Sequence, residues 1–353
     1  MGGRGRHVPC PVNIFQARGP PVEEVGSCIE RRHRIIMLSV LFATTTVPLD
    51  NLHQIKMVAP VVLLALFWCW ETWRPFFGQQ QGRWRHASHN LAVALFNTVT
   101  LGLVFGYLTA AVAGWTEQNR FGLLNALALA TPIRFLLALV LLDGWMYIWH
   151  RANHAIPVLW RFHRMHHSDR HMDVTTATRF HLGELAGSAV LRLGLTPLLG
   201  FEIWNLVVYD TLVIAITQFH HADISIGRWD RWLRLFIVTP YMHKVHHSDW
   251  RPETDSNYSA VLSFWDSLAG TLRQRSDPKT LVFGLGELSD PGWQTWWGMM
   301  KTPFDGWRIV ITTGSRAEGS SEHRDERAGA LVADGESHCG DGFAAGQEAE
   351  RME

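Results

Sequence analysis

The stretch LAVALFNTVTLGLVFGYLTAAVAGWT, Leu91 to Thr116, contains no charged residue and exceeds the run of about 20 apolar residues that a helix needs to cross a bilayer core. Its Gly and Thr content is normal for a membrane helix and would be odd in a buried helix of a soluble protein. Working outward, Phe121 to Trp149 gives a second apolar segment, with Pro132 and Arg134 near its start and Asp143 near its end, so that its spanning part begins at Ile133. Upstream, Met57 to Trp73 is an apolar run that ends in an aromatic and then basic border: Trp68, Trp70, Trp73, Arg74, Arg83 and Arg85. Downstream, Leu185 to Phe201 and Ile203 to Phe219 read as a hairpin separated by Glu202, each arm holding one charge, Arg192 and Asp210. These arms are close to the lower length limit for a span, and the sequence leaves open whether the hairpin crosses or only dips into the bilayer. The expected fold is an all-α integral membrane protein with about four transmembrane or membrane-embedded helices in hairpins, topped by a helical cap.

Composition agrees. Among 353 residues, 32 Lys plus Arg balance 32 Asp plus Glu, so no strong pull on nucleic acid is expected. Charged residues make up 18%, against roughly 25% in ordinary soluble proteins, and 17 Trp and 18 Phe give a heavy aromatic load. The four cysteines, Cys10, Cys28, Cys69 and Cys339, form no CxxC pair, which argues against a disulfide framework or a thiolate metal site. Positive charge sets the sides: Arg74, Arg83 and Arg85 belong in the cytoplasm, so the Leu91 to Thr116 span exits and the next returns, placing His150 at the cytoplasmic face. Arg151, Arg161, Arg164, Arg170 and Arg179 ask for the same side, and the hairpin returns His220 to it ahead of Arg228, Arg231 and Arg234.

Three divisions are expected along the chain. Residues 1–56 form an N-terminal extension with basic residues at Arg31, Arg32 and Arg34 and a short apolar run from Ile35 to Leu49. Translation from Met37 or Met57 is one reading of it, and an extra short span is the other. Residues 57–290 are expected to form one membrane-embedded domain. Residues 291–353 form a C-terminal segment whose tail, from about Thr313, is poor in large apolar residues and is expected to be disordered.

Of the 19 histidines, 12 fall between His150 and His247. They make three motifs: HxxxH at His150 and His154, HxxHH at His163, His166 and His167, and HxxHH at His243, His246 and His247. On a helix, positions i, i+3 and i+4 share a face, so each motif can aim two or three imidazoles at a common point. Eight such ligands exceed what one metal can hold, and two metals sharing the set is the natural arithmetic. His221, at the end of the hairpin, is a ninth candidate ligand, His181 and His220 are weaker ones, and His171 is expected to be solvated. Asp169, Asp173, Glu184, Asp223 and Asp249 are near enough in sequence to hold the second ring nitrogens of the ligands. No Glu-x-x-His pair of the soluble di-iron bundles occurs among the motifs, so a nitrogen-rich site is implied.

These residues resemble the membrane-bound fatty acid hydroxylase and sterol desaturase superfamily. The three histidine motifs stand in the family's order. The likeness extends through Trp160-Arg-Phe-His-Arg-Met-His-His-Ser-Asp, Thr178-Arg-Phe-His-Leu-Gly-Glu184, Thr239-Pro-Tyr-Met-His-Lys-Val-His-His and Asn257-Tyr-Ser-Ala-Val-Leu-Ser-Phe-Trp-Asp-Ser-Leu-Ala-Gly-Thr271. It covers about residues 60 to 272, with Ser259 where the family usually has Gly and Ala269 where it usually has Phe. The resemblance implies a pair of non-haem iron ions held by the histidines at the cytoplasmic membrane face. It implies O2 as co-substrate and a lipid as substrate, a sterol, fatty acyl or other chain, hydroxylated or desaturated at an unactivated C–H bond. The membrane would be a bacterial inner membrane, or the endoplasmic reticulum in a eukaryote.

The chain has no GxGxxG after a strand, no CxxCH haem attachment and no ferredoxin-like cysteine run, so electrons must come from an external donor or reductase, of cytochrome or ferredoxin type. The arginines of the histidine face could dock an acidic donor. Two other readings stay open on the residues alone. A membrane zinc hydrolase would use histidines to activate water, but HExxH is absent and His181-Leu-Gly-Glu184 is the only nearby acid pairing. A non-enzymatic metal or haem carrier would place its ligands within the spans, whereas these lie at span ends.

Overall fold

The computed structural model describes residues 49–78 and 81–305. The expectations for the basic cluster, Met37, most of the apolar run before Leu49 and the tail from Thr313 lie outside those residues.

The described chain is helical, with two isolated β-bridges and no sheet among the described residues. Helices α1 (Leu49–Trp73), α2 (Arg83–Gln118) and α3 (Thr131–Ala155) are followed by a short α4 (Pro157–His167), then by the hairpin α5 (Leu182–Leu199) and α6 (Ile203–His221), and by α7 (Pro240–His246). Four helical segments are long and apolar enough to cross a membrane: Gln54–Trp73, Arg83–Ala126, Thr131–Ala155 and Leu182–Leu199. Their large side chains point outward: Leu103 is 82% exposed, Leu95 67%, Val61 66% and Leu136 60%. Apolar surface on that scale is stable in lipid and not in water. The chain is a multi-pass membrane protein.

Helix α6 is not among the four, because Asn205, Asp210 and Gln218 dilute its apolar sequence. The hairpin nevertheless runs deep. Its arms of 18 and 19 residues rise about 27–28 Å at 1.5 Å per residue, close to the hydrocarbon thickness of about 30 Å. At its tip Glu202 pairs with Arg134 at the start of α3 (3.3 Å), so the tip lies level with the far end of a span. Gly200 closes α5 at φ 81, and a Cβ on the facing Gly122 (φ 100) would lie 2.3 Å from the Pro197 carbonyl oxygen. Only glycines let the tip and the α2–α3 connection meet this closely.

Charges inside the helices are paired. Asp210 on α6 accepts from Lys56 of α1 (2.8 Å) and from Arg192 of α5 (2.9 Å), so the single charges of the two hairpin arms neutralise each other and fasten three helices. Gln218 donates to the Pro60 carbonyl (3.0 Å), again joining α6 to α1. Asp143, buried in α3, accepts four hydrogen bonds, from the Tyr209 hydroxyl (2.8 Å), the backbone of Val261 (3.2 Å) and Leu262 (2.9 Å), and the Trp265 indole (2.9 Å). It thereby pins the segment after α7 against a membrane helix.

Local rules then place the histidine-bearing elements. Ile156 is extended before Pro157, which ends α3 and starts α4 at its first turn, so the last turn of α3 and the whole of α4 form a tight corner. Helix α7 starts the same way, with Thr239 accepting from the Met242 amide (3.4 Å) and Pro240 in the first turn.

Candidate metal centre

The corner between α3 and α4, the end of α6 and the short α7 bring nine imidazoles together. They form two groups, His150, His154, His163, His167 and His246 in one, and His166, His221, His243 and His247 in the other. Within each group the nearer ring nitrogens all lie within 4.8 Å of one another. All eight motif histidines and His221 are therefore gathered. The grouping corrects one detail of the helix argument. In each HxxHH motif the residues at i and i+4 go to one group and the residue at i+3 to the other: His163 and His167 against His166, and His243 and His247 against His246. Adjacent helical positions differ by about 100° in direction, so a tandem HH points at two places rather than one.

The ring nitrogens are arranged as ligand atoms. In the four-histidine group, Nε2 of His221 lies 3.1 Å from Nε2 of His166 and 3.0 Å from that of His243, which is 3.1 Å from that of His247. In the other group His163 and His167 approach at 3.2 Å. Metal–imidazole bonds of about 2.0–2.1 Å place neighbouring nitrogens about 3 Å apart at right angles, which is this spacing. Several rings have Nδ1 donating, which turns the bare lone pair of Nε2 inward. His150 donates to the Tyr258 carbonyl (2.8 Å), His246 to the Ser256 carbonyl (2.6 Å), His221 to the Thr217 carbonyl (2.7 Å) and His163 to Glu184 (2.9 Å). The buried Nε2 atoms of His150, His154 and His246 have no hydrogen-bond partner at all. Such atoms are costly unless something binds them.

Electrostatics agree with a neutral ligand set. Burial, reinforced by the neighbouring imidazoles, holds His166, His167, His243 and His247 well below the ordinary histidine range, and burial takes His246 down to about 3. Unprotonated imidazole is the form that binds iron, copper, zinc or nickel. No carboxylate belongs to either group.

Among the expected carboxylates Glu184 reaches a ligand, His163, and it also accepts from Asn153 (3.1 Å). Asp169 and Asp173 instead grip His86 on α2, at 2.8 and 3.2 Å. Burial works against the charge of Asp169, but His86 and Arg179 pull its pKa far below the usual carboxylate range. Asp223 accepts from the Phe77 amide (3.2 Å), and Asp249 is exposed beside a surface cavity. His181 caps α5, its Nδ1 accepting from the Gly183 amide (3.0 Å). His220 stacks on His243 at 3.9 Å but belongs to neither group, and His171 is exposed.

The sequence reading missed Asp255, which reaches Nδ1 of His154 (3.3 Å), as well as His86 and every backing carbonyl. Asp255 gets there through the turn Arg251–Thr254, which carries no histidine, and a carbonyl leaves no mark on the sequence.

Residues 135–271 match the fatty acid hydroxylase family model. Among curated proteins the chain is similar to ornithine lipid hydroxylase OlsE of Rhizobium tropici, 34% identical over 44% of this chain and 46% of that protein. It is similar to human alkylglycerol monooxygenase, 25% identical over 50% of this chain and 38% of the relative. Rat cholesterol 25-hydroxylase is 27% identical over 45% of this chain and 53% of its own. The chain thus spans about half or less of the length of these relatives. No solved structure matches. The matched segment holds all nine imidazoles, and over it the chain is similar to the fatty acid hydroxylase family.

Proposed function

We propose that this chain is a membrane-bound non-haem di-iron oxygenase that hydroxylates or desaturates a lipid. The observation that carries the reading is the pair of imidazole groups, five and four, both without a carboxylate and both at the ends of outward-facing apolar helices. The nine histidines are proposed as ligands of two irons, with residues 57–290 as the catalytic domain and the histidine face turned to the cytoplasm. The irons would supply oxygen activation at an unactivated C–H bond. The chain's own residues do the rest. Glu184, Asp255 and the carbonyls of Tyr258, Ser256 and Thr217 fix ring orientation and keep the Nδ1 protons away from the metal-facing side. Tyr258, packed on His150 (5.7 Å) and His154 (5.1 Å), and Phe180, stacked on His166 (4.3 Å), wall the site against water.

The relatives named above carry three different lipids in their names, which supports a lipid substrate without selecting one. Electrons come from a separate donor. The test is metal content with Mössbauer spectroscopy on protein purified in detergent from iron-supplemented cells, followed by mass spectrometry of lipids after incubation with 18O2 and a reductase. Near two irons per chain with antiferromagnetic coupling, and a lipid gaining one labelled oxygen or losing two hydrogens, is the expected result. One tightly held zinc, or haem absorption without non-haem iron, would overturn it.

A further inference from the structure

We propose that the cavity at the cap ends of α1 and α6 is a binding site for the phosphodiester of an anionic phospholipid, with Lys244 as the buried cation that receives it. The cavity has a volume of about 210 Å³, and its lining includes Phe76, Ile224, Asp230, Arg234 and Lys244. None of the nine grouped imidazoles lines it, so the site is separate from the metal centre.

Its level in the molecule is that of the headgroups. Helix α1 ends at Trp73 and α6 at His221, so Phe76 and Ile224 each stand three residues past the end of a membrane-embedded helix. Phospholipid headgroups fill a layer about 5–8 Å deep on each side of the hydrocarbon core, a distance that three residues of chain can cross. The segment from Gly227 to Phe236, which supplies Asp230 and Arg234 to the cavity, carries the marks of the same layer. Trp229, Trp232, Leu235 and Phe236 expose large apolar side chains. The guanidiniums of Arg228 and Arg231 lie over the indoles of Trp229 and Trp232, at 5.8 and 4.9 Å. Exposed indoles accompanied by arginine suit the membrane–water boundary, where apolar chains meet phosphate.

Charge selects an anion. Of the three charged residues that line the cavity, Asp230 and Arg234 pair with each other (3.4 Å), which leaves Lys244. Lys244 is 1% exposed, and its ammonium donates to the Ala222 carbonyl (2.6 Å) without entering an ion pair among the described residues. Asp223, Glu71 and Asp230 act on it at longer range, but Glu71 pairs with Arg83 and Asp223 accepts from the Phe77 amide (3.2 Å). An ammonium has three donors, and a buried cation with one neutral acceptor is costly unless an anion joins it. A second ammonium, that of Lys279, lies 6.0 Å from the Phe76 ring centroid, against 5.8 Å for Lys244. Two cations flanking one aromatic wall favour a net-anionic headgroup and disfavour the trimethylammonium of phosphatidylcholine. Lys244 stands on α7 between His243 and His246, so a lipid seated here ties that helix to the membrane surface.

The probes are dioleoyl phosphatidylglycerol, dioleoyl phosphatidylcholine and the chainless diester glycerophosphoglycerol. Each is offered to the full chain in detergent, and retained molecules are counted by native mass spectrometry. One phosphatidylglycerol per chain should be held about tenfold more tightly than phosphatidylcholine, and the chainless diester more weakly still. Lys244→Met should remove the preference for phosphatidylglycerol. Because Lys244 adjoins a proposed metal ligand, Ser225→Trp provides the second variant: at an exposed lining position it fills the cavity and leaves Lys244 in place. It should lower phosphatidylglycerol retention about tenfold at unchanged metal content. Wild-type retention in Ser225→Trp would overturn the site, and equal retention of the two lipids would overturn its charge selection. Binding of glycerophosphoglycerol as tight as that of the lipid would make the ligand a soluble phosphodiester and overturn the lipid assignment. Retention is read without metal or oxygen, so the result stands or falls independently of the oxygenase reading.

Discussion

The two histidine groups are built from the same motif and live in different surroundings. Each HxxHH contributes two rings to one group and one to the other, so both groups depend on α4 and on α7. They differ in what completes them. His150 and His154 bring the first group to five ligands and connect it to a surface cavity through His154, while His221 brings the second to four and leaves it enclosed. Near-symmetry in sequence has become asymmetry in access and ligand number. The difference teaches that the i+3 histidine of each motif is the tie between groups, and the cap segments decide which group is reached from outside.

The comparison breaks most directly at those ties. His166→Ala and His246→Ala each remove one ring from one group while leaving the i, i+4 pair of the same motif in place. Both should lower lipid oxidation by more than about a hundredfold, beyond the 10–100-fold typical of residues that only support a ligand. Iron analysis then separates them. The four-histidine group drops to three ligands in His166→Ala and should lose its metal, whereas the other group keeps four in His246→Ala and should retain more. Equal retention would mean that ligand number does not distinguish the groups.

Supporting carboxylates give the next effect. Glu184 is buried and holds both His163 and Asn153, while Asp255 is partly solvent-exposed and shared with Arg251. Glu184→Gln should weaken metal retention by about 10–100-fold, and Asp255→Asn by less, because water can replace an exposed acceptor and cannot reach a buried one. Titration with a competing chelator checks the order, and a larger loss in Asp255→Asn would reverse it.

Much of this molecule is legible in its sequence because both of its determinants are local. Span length is a property of contiguous residues, so Leu91 to Thr116 and the arm after Thr131 stand out unaided. The histidine motifs announce ligands because i, i+3 and i+4 are neighbours on any helix. What is not legible depends on contacts between segments distant in the chain. Asp143 reads as an odd charge near the end of a span until Val261, Leu262 and Trp265 are seen to converge on it. Asp169 and Asp173 read as support for the histidines that precede them, yet they turn to His86, over 80 positions away. Which histidine joins which group is equally invisible, since it follows from how the α3–α4 corner faces α7.

Acid sharpens the comparison between metal-bound and metal-free protein. In an unfolded chain imidazole takes up a proton near pH 6.5, whereas burial keeps His246 neutral until about pH 3 and depresses His166, His167, His243 and His247 in the same direction. Between those limits the unfolded state binds more protons, so stability must fall as pH drops below about 6.5, by up to about 1.4 kcal/mol per pH unit for each such group. Metal-free protein in detergent should therefore show a thermal midpoint that falls steadily from pH 7.5 to 5. A flat profile would mean that the rings are not held neutral.

The smallest effect tests the boundary of the site. His181 sits in the same motif-rich segment as Glu184, but its Nδ1 caps α5 and its ring lies on Phe162 (5.2 Å), outside both groups. Replacing a side chain that accepts at a helix N-cap typically costs about 0.5–2 kcal/mol, and Asn restores the acceptor. His181→Ala should thus lower the thermal midpoint modestly while iron content stays at the wild-type value, and His181→Asn should recover most of the loss. A ligand would behave in the opposite way, losing iron in both variants, so iron analysis of His181→Asn alone decides whether the centre ends at nine imidazoles or extends to a tenth.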